Sequence, residues 1–206
     1  AYSMDGMPDV VSIWGQPAFL DEVLDAGVLA ELNESDYADY NFIPGSLEGF
    51  KKDGKLYGLP RNTDVAAFYY NQKIFDENGW QVPTTYDEYV QICDTLKENG
   101  VTPVSLASTA DYAWLVSQYI QQLSDGIKGE DLFNSIKDGT GKWNDEGMVE
   151  AGKLFQEEVN KGYFEDGFTG VSREEAQLQF ANGQTAMGIS WNSANRIWQC
   201  LWNGKI

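Results

Sequence analysis

The sequence contains no histidine. That absence removes the commonest general base and metal ligand, so a Ser–His or Cys–His nucleophile and a His-bearing zinc site are excluded. Cysteine is scarce as well. Cys93 and Cys200 are the two present, far apart and without a C-x-x-C, which indicates neither a disulfide framework nor a redox motif. Cys93 falls on the apolar stripe of an expected helix, and both thiols are expected to be buried and free. No apolar run approaches the roughly 18 residues that a membrane-spanning helix requires. No signal peptide is recognisable, as expected of a cytoplasmic, processed or truncated chain. Positive charge is sparse: 14 Lys and Arg against 32 Asp and Glu give a net charge of −18. A polyanionic partner such as nucleic acid, or an anionic membrane surface, is therefore electrostatically unfavourable, and a neutral or weakly charged partner fits better.

What is present is enough to fold. The 206 residues are 42% hydrophobic, and the aromatic residues include 7 Trp and 11 Tyr, flat amphipathic side chains that fill a core or face a sugar. PDVVSIW (8–14) reads as a buried strand opening into a loop at Trp14–Gly15–Gln16. PAFLDEVLDAG (17–27) reads as a helix with Pro in its first turn and Gly27 as its stop. KLYGLP (55–60) and VAAFYY (65–70) read as strands, the second apolar enough to be covered on both faces. The clearest helix spans 84–100, with Thr85 and Glu88 as a capping box, Tyr89, Ile92, Cys93 and Leu96 on one face, and Gly100 at its end. A strand at 101–107 follows. Helices are expected over 112–123, with Trp114, Leu115, Tyr119 and Leu123 as candidates for burial, and over 145–161 and 172–182. A buried strand at 185–190 ends against Trp191. The stretch 124–147 carries turn signals and reads as a surface excursion. Strands alternating with helices point to an α/β architecture with mainly parallel sheets.

Few motifs carry chemistry. GTGK (139–142) fails as a phosphate loop, because Ile136 stands where the first Gly is needed and Trp143 where Ser or Thr is needed; it reads as a turn. The acids near Asp138 do not match an EF-hand loop, since Lys142 falls at a ligand position. Glu174 and Glu175 follow Ser172 in the first turn of a helix, where the helix dipole accounts for them. Asp64 differs, because it directly precedes VAAFYY in GLPRNTDVAAFYYN (58–71). It is either a solvated loop acid or a ligand-facing carboxylate at a strand end, able to accept two charge-assisted hydrogen bonds from sugar hydroxyls. Trp14 and Trp191 also follow expected strands, at positions where an indole can stack on a pyranose ring.

These motifs occur together in a recognisable order. G-x-PDVV, AGVLAEL (26–32), GKLYGLP, FYYNQKIFDENGW-x-VPTTYDEY and FANGQTAMGISW resemble the extracellular solute-binding proteins of carbohydrate ABC transporters, family 1, the maltose-binding-protein-like group. The resemblance implies a periplasmic-binding-protein-like (type II) fold of two α/β lobes, with the ligand held between them. Residues 1–63 then correspond to part of the first lobe, 64–206 to most of the second, and about 61–65 to a hinge crossing. Asp64 falls at the family's hinge-proximal acid, with Asn62 beside it. Trp191, followed by Asn192, matches the stacking aromatic after the A-M strand. Trp14 and Gln16 match the sugar-facing loop, and Asp111, Tyr112 and Trp114 match a second-lobe segment that contributes aromatic and polar groups. The implied function is non-catalytic: a sugar or oligosaccharide is bound and presented to a membrane permease, with no cofactor or metal. The implied setting is an extracellular or periplasmic, monomeric protein, anchored as a lipoprotein in its full form and not inserted directly into the membrane. Family members are roughly twice this length, so the fold is expected to be incomplete and the chain to be a fragment of a larger secreted protein. Two alternatives stand beside this one: a glycoside hydrolase using Asp64 with a second acid, and a fragment that retains no ligand binding.

Overall fold

Pro17 opens the first helix because its missing amide hydrogen is one that the helix could not have used. In the computed structural model, which describes residues 8–63, 66–129 and 131–191, α1 (Pro17–Asp25) buries Leu20 and Val23. Gly27 follows at φ +67°, the left-handed region that releases the chain from a helix. A 3-10 helix, Glu34–Tyr40, begins where the Asn33 side chain accepts from Ser35 N. β1 (Lys51–Lys52) and β2 (Lys55–Leu56) pair antiparallel. Their two-residue turn, Asp53–Gly54, has φ of 51° and 76°, the sign that matches a hairpin's twist. Two expectations are corrected in this region. Residues 8–14 form no strand, and Val10 is 86% exposed; no neighbour pairs with them among the described residues, and a lone strand leaves its backbone groups unpaired. The strand expected over 55–60 is confined to Lys55–Leu56, the two residues that face β1.

The chain divides into two compact units, Ala1–Thr63 and Asp64–Ile206. The second is built on β3 (Ala66–Tyr70), α2 (Gln72–Asn78), α3 (Tyr86–Glu98), β4 (Thr102–Leu106), α4 (Ala113–Lys128), α5 (Asp131–Lys137), α6 (Glu146–Asn160), α7 (Arg173–Ala181) and β5 (Thr185–Trp191). The capping box of α3 forms as expected: Glu88 N donates to Thr85 Oγ1 at 3.2 Å, and Thr85 N donates to Glu88 Oε2 at 3.2 Å. Ser172 and Glu175 repeat that arrangement at α7, and Asp145 caps α6. Tyr89, Ile92, Cys93 and Leu96 are all buried, as their helical spacing requires. The excursion expected over 124–147 is corrected in part, since α4 continues to Lys128 and α5 occupies Asp131–Lys137.

The sheet runs β3-β5-β4, with β5 parallel to β4 and antiparallel to β3. The expectation of mainly parallel pairing therefore holds for β4–β5 alone. Among the described residues β3 lies at the edge of the sheet, and Phe68 and Tyr70 are 39% and 41% exposed, so the reading of a strand covered on both faces is corrected as well. Along the outer side of β4, Val104 N donates to Tyr163 O at 3.0 Å. Val104, Leu106, Ala186, Met187 and Ile189 supply the sheet's share of the core, packed with Phe75, Leu96, Leu115 and Phe164. Cys93 is free, and burial pushes its thiol up to about 12; Cys200 lies outside the described residues.

A buried carboxyl group lies against this core. Glu158 of α6 is buried and accepts from Tyr119 OH of α4 at 2.7 and 2.8 Å and from Tyr86 OH of α3 at 2.9 Å. Burial raises its carboxyl from the usual 4.5 to about 7, against the opposing pull of the two phenols. The Tyr119 ring in turn meets Phe68 of β3 edge-on, with centroids 5.3 Å apart.

Candidate functional site

Parallel strands bring their carboxyl ends to the same side of a sheet, where the loops that follow are free to face a ligand. Here Leu106 at the end of β4 pairs with Ile189, next to the end of β5 at Trp191. The antiparallel β3 begins at Ala66 opposite Trp191, so the strand's first residue joins the same end. The start of one strand and the ends of two others thus converge.

Two helices also begin here. The β4–α4 loop is fastened to the segment before α7: Ser108 N donates to Val171 O at 3.1 Å, and the Ser108 hydroxyl donates to Phe168 O. Within the loop, Tyr112 N donates to Thr109 O at 2.7 Å, which sets Tyr112 immediately ahead of α4. The Arg173 guanidinium lies over the Tyr112 ring, 5.5 Å from its centroid, and its Nε and Nη2 donate to Glu174 Oε1 at 2.9 and 2.6 Å. Asp111 is exposed, and Trp114, in the first turn of α4, is 43% exposed. Asp111, Tyr112 and Trp114 therefore lie on the segment that follows the end of β4, on the side of the sheet where β5 ends at Trp191. Burial of Trp114 is the expectation that fails: Leu115 and Tyr119 take the inward face of α4 at 1% and 4% exposure, and their spacing turns Trp114 outward.

The remaining residues marked by the sequence divide in two. Asp64 and Asn192 lie outside the described residues, as does the side chain of Trp191. Trp14, Gln16 and Asn62 belong to the first unit. Trp14 is 67% exposed, and Gln16, also exposed, precedes α1 with an extended backbone, its N–H donating to Trp14 O at 2.9 Å. Gly15 between them is required: a Cβ there would stand 2.7 Å from the Phe50 ring. Asn62 is exposed and accepts from Arg61 Nε at 3.5 Å.

Arg173 is the functional candidate that the sequence reading missed. The signal was available, because a cation in the first turn of a helix runs against the helix dipole and calls for a local reason. Glu174 and Glu175, by contrast, act structurally. Glu174 pairs with Arg173, and Glu175 accepts from Ser172 N and Oγ, bonds that hold its carboxyl below the usual carboxylate range. A separate hollow of about 450 Å³, lined by Trp80, Pro83 and Ile92 among others, contains none of the candidate binding residues. Among the described residues no helix is long and apolar enough to cross a membrane, and no cluster of three acids or cysteines is placed to hold a metal ion.

Comparison with known proteins places the chain in a family. Residues 4–199 match the family model described as bacterial extracellular solute-binding protein. An ABC transporter extracellular-binding protein of Pyrococcus horikoshii is 26% identical over 98% of this chain and 42% of its own length. The multiple sugar-binding protein of Streptococcus mutans is 28% identical over 88% of this chain and 44% of its own. A solved chitin oligosaccharide binding protein superposes with a TM-score of 0.80 at 29% identity, over 90% of this chain and 46% of that one. The chain therefore spans a little under half the length of these relatives, and it shares with the solved neighbours the type II periplasmic-binding fold, incomplete here. By the family model that covers most of its length, the chain belongs to the bacterial extracellular solute-binding proteins.

Proposed function

We propose that the chain is the ligand-binding part of an ABC importer's substrate-binding component, and that its ligand is a sugar or oligosaccharide. One observation carries the proposal: Asp111, Tyr112 and Trp114 follow the end of β4, on the side of the sheet where β5 ends at Trp191. Exposed aromatic rings beside carboxylate and guanidinium groups suit a pyranose, which offers an apolar face for stacking and hydroxyls for charge-assisted hydrogen bonds. The named relatives support the ligand class, since they are binding proteins for multiple sugars and for galacto-, arabino- and chito-oligosaccharides. They also support a non-enzymatic role. Family membership argues for an extracellular or periplasmic setting.

Residues 1–63 and 64–206 act as portions of two lobes, with 61–65 as the crossing between them and Asp64 at the ligand. Trp14, Gln16 and Asn62 contribute from the first lobe. The whole protein works as a monomer, anchored as a lipoprotein, and delivers its ligand to a permease. Titration calorimetry of this chain against xylo-, chito- and galacto-oligosaccharides tests the proposal. Binding by one class is expected, weakened by about 2–4 kcal/mol on removal of a stacking indole or a hydroxyl-binding carboxylate. Unchanged affinity in both Trp114→Ala and Asp64→Ala would refute the site, and the absence of heat with every sugar would refute the ligand class.

A further inference from the structure

Gln177, on the second turn of α7, is 3% exposed, and its Oε1 has no hydrogen-bond partner among the described residues. A buried amide oxygen is rarely left in that state, because it gave up its hydration on folding. Gln177 lines a cavity of about 10 Å³ together with Ser105, Ser190 and Arg173. Ser105 and Ser190 are 3% and 4% exposed, and each hydroxyl can donate one hydrogen bond and accept two.

The cavity follows from the sheet's register. Ser105 of β4 pairs with Gly188 of β5, where a Cβ would stand 2.8 Å from Ser105 Oγ, so only glycine leaves that hydroxyl its position. One step further along, Ala107 and Ser190 line the same cavity with small side chains. Two strands thus present small residues to α7, and α7 inserts an amide rather than an apolar group. Leu115, Ala176 and Ile189 also line the space; voids that stay dry are apolar throughout, whereas a space of this size that also offers several donors and acceptors suits one water.

We propose that this cavity is a single-hydroxyl site: it holds one O–H group, from a water or from a ligand, that donates to Gln177 Oε1 and shares the hydroxyls of Ser105 and Ser190. The water form is independent of the sugar reading, and only the ligand form rests on it.

A crystal structure of the ligand-free protein provides the first test. An ordered water at about 2.6–3.2 Å from Gln177 Oε1 is expected, and an empty cavity overturns the proposal. The variant Q177L, close in volume, provides the second. With a bound water, Q177L removes an acceptor that was satisfied, and the urea midpoint falls. In a dry cavity it removes an unpaired acceptor, and a raised midpoint overturns the proposal. Crystals soaked with a binding sugar separate the two sources: a sugar hydroxyl in the water's place assigns the site to the ligand, and a retained water assigns it to the solvent. If no sugar binds, the function proposed above fails while the water test stands.

Discussion

Glu158 makes the stability of the second unit depend on pH in a direction opposite to that of most acids. Its carboxyl is raised from 4.5 to about 7 by burial, so over that range the folded protein holds a proton that the unfolded chain has released. The stabilisation from this proton is fully present below about pH 4.5 and is lost as pH rises through about 7. That difference is equivalent to about 3 kcal/mol in total, and the step from pH 5 to pH 8 takes in most of it. Burial also raises the Glu165 carboxyl, so the wild type alone does not isolate Glu158. The variant Glu158→Gln isolates the effect, because its amide keeps the shape and still accepts from Tyr86 and Tyr119 without taking a charge. Urea unfolding followed by intrinsic fluorescence at pH 5 and pH 8 supplies the four stabilities required. The wild type is expected to lose about 2 kcal/mol more than the variant between the two pH values. Equal losses, within about 0.5 kcal/mol, would refute the burial argument.

The Cys93 thiol is buried and pushed up to about 12, so in a Cys200→Ser background it should resist a thiol reagent at pH 8 until urea unfolds the chain; rapid labelling of the folded protein would contradict its placement. Thr85→Ala and Ser172→Ala each remove a capping-box hydroxyl and should each cost about 1 kcal/mol in the same unfolding assay, their effects adding in the double variant because the caps sit on different helices. A cost near zero for both would mean that tertiary packing alone fixes those helix starts.

Legibility in the sequence followed the range of the interaction. α3, α6 and α7 are specified by residues within one turn of their ends, by Thr85 with Glu88, Asp145, and Ser172 with Glu175, and so they could be read locally. α2 and α5 are seven residues each, too short for a helical period to declare itself. The strand expected at 8–14 had the right composition, but a strand also needs a partner, which composition does not supply. β3 read as doubly covered because its residues are apolar; its place at the sheet edge depends on β5, more than a hundred positions away in sequence. Glu158 was hidden in the charged run QEEVNK, although it falls on the same helical face as the buried Gly147 and Ala151. For the site, the ends of β4 and β5 could be read, while Arg173 over Tyr112 is a tertiary contact between two helix starts.

The edge position of β3 has a consequence beyond ligand binding. β4's outer side is met by the chain at Tyr163, but β3 ends the sheet among the described residues. Open strand edges invite a second copy to extend the sheet, and here the half-exposed rings of Phe68 and Tyr70 would add apolar contact to that pairing. Two copies approaching in this way each bring a net charge of −18, and their repulsion weakens as salt shortens its reach. For this chain the acidic surplus opposes such edge pairing at low salt, and concentrated salt is the condition that weakens the opposition.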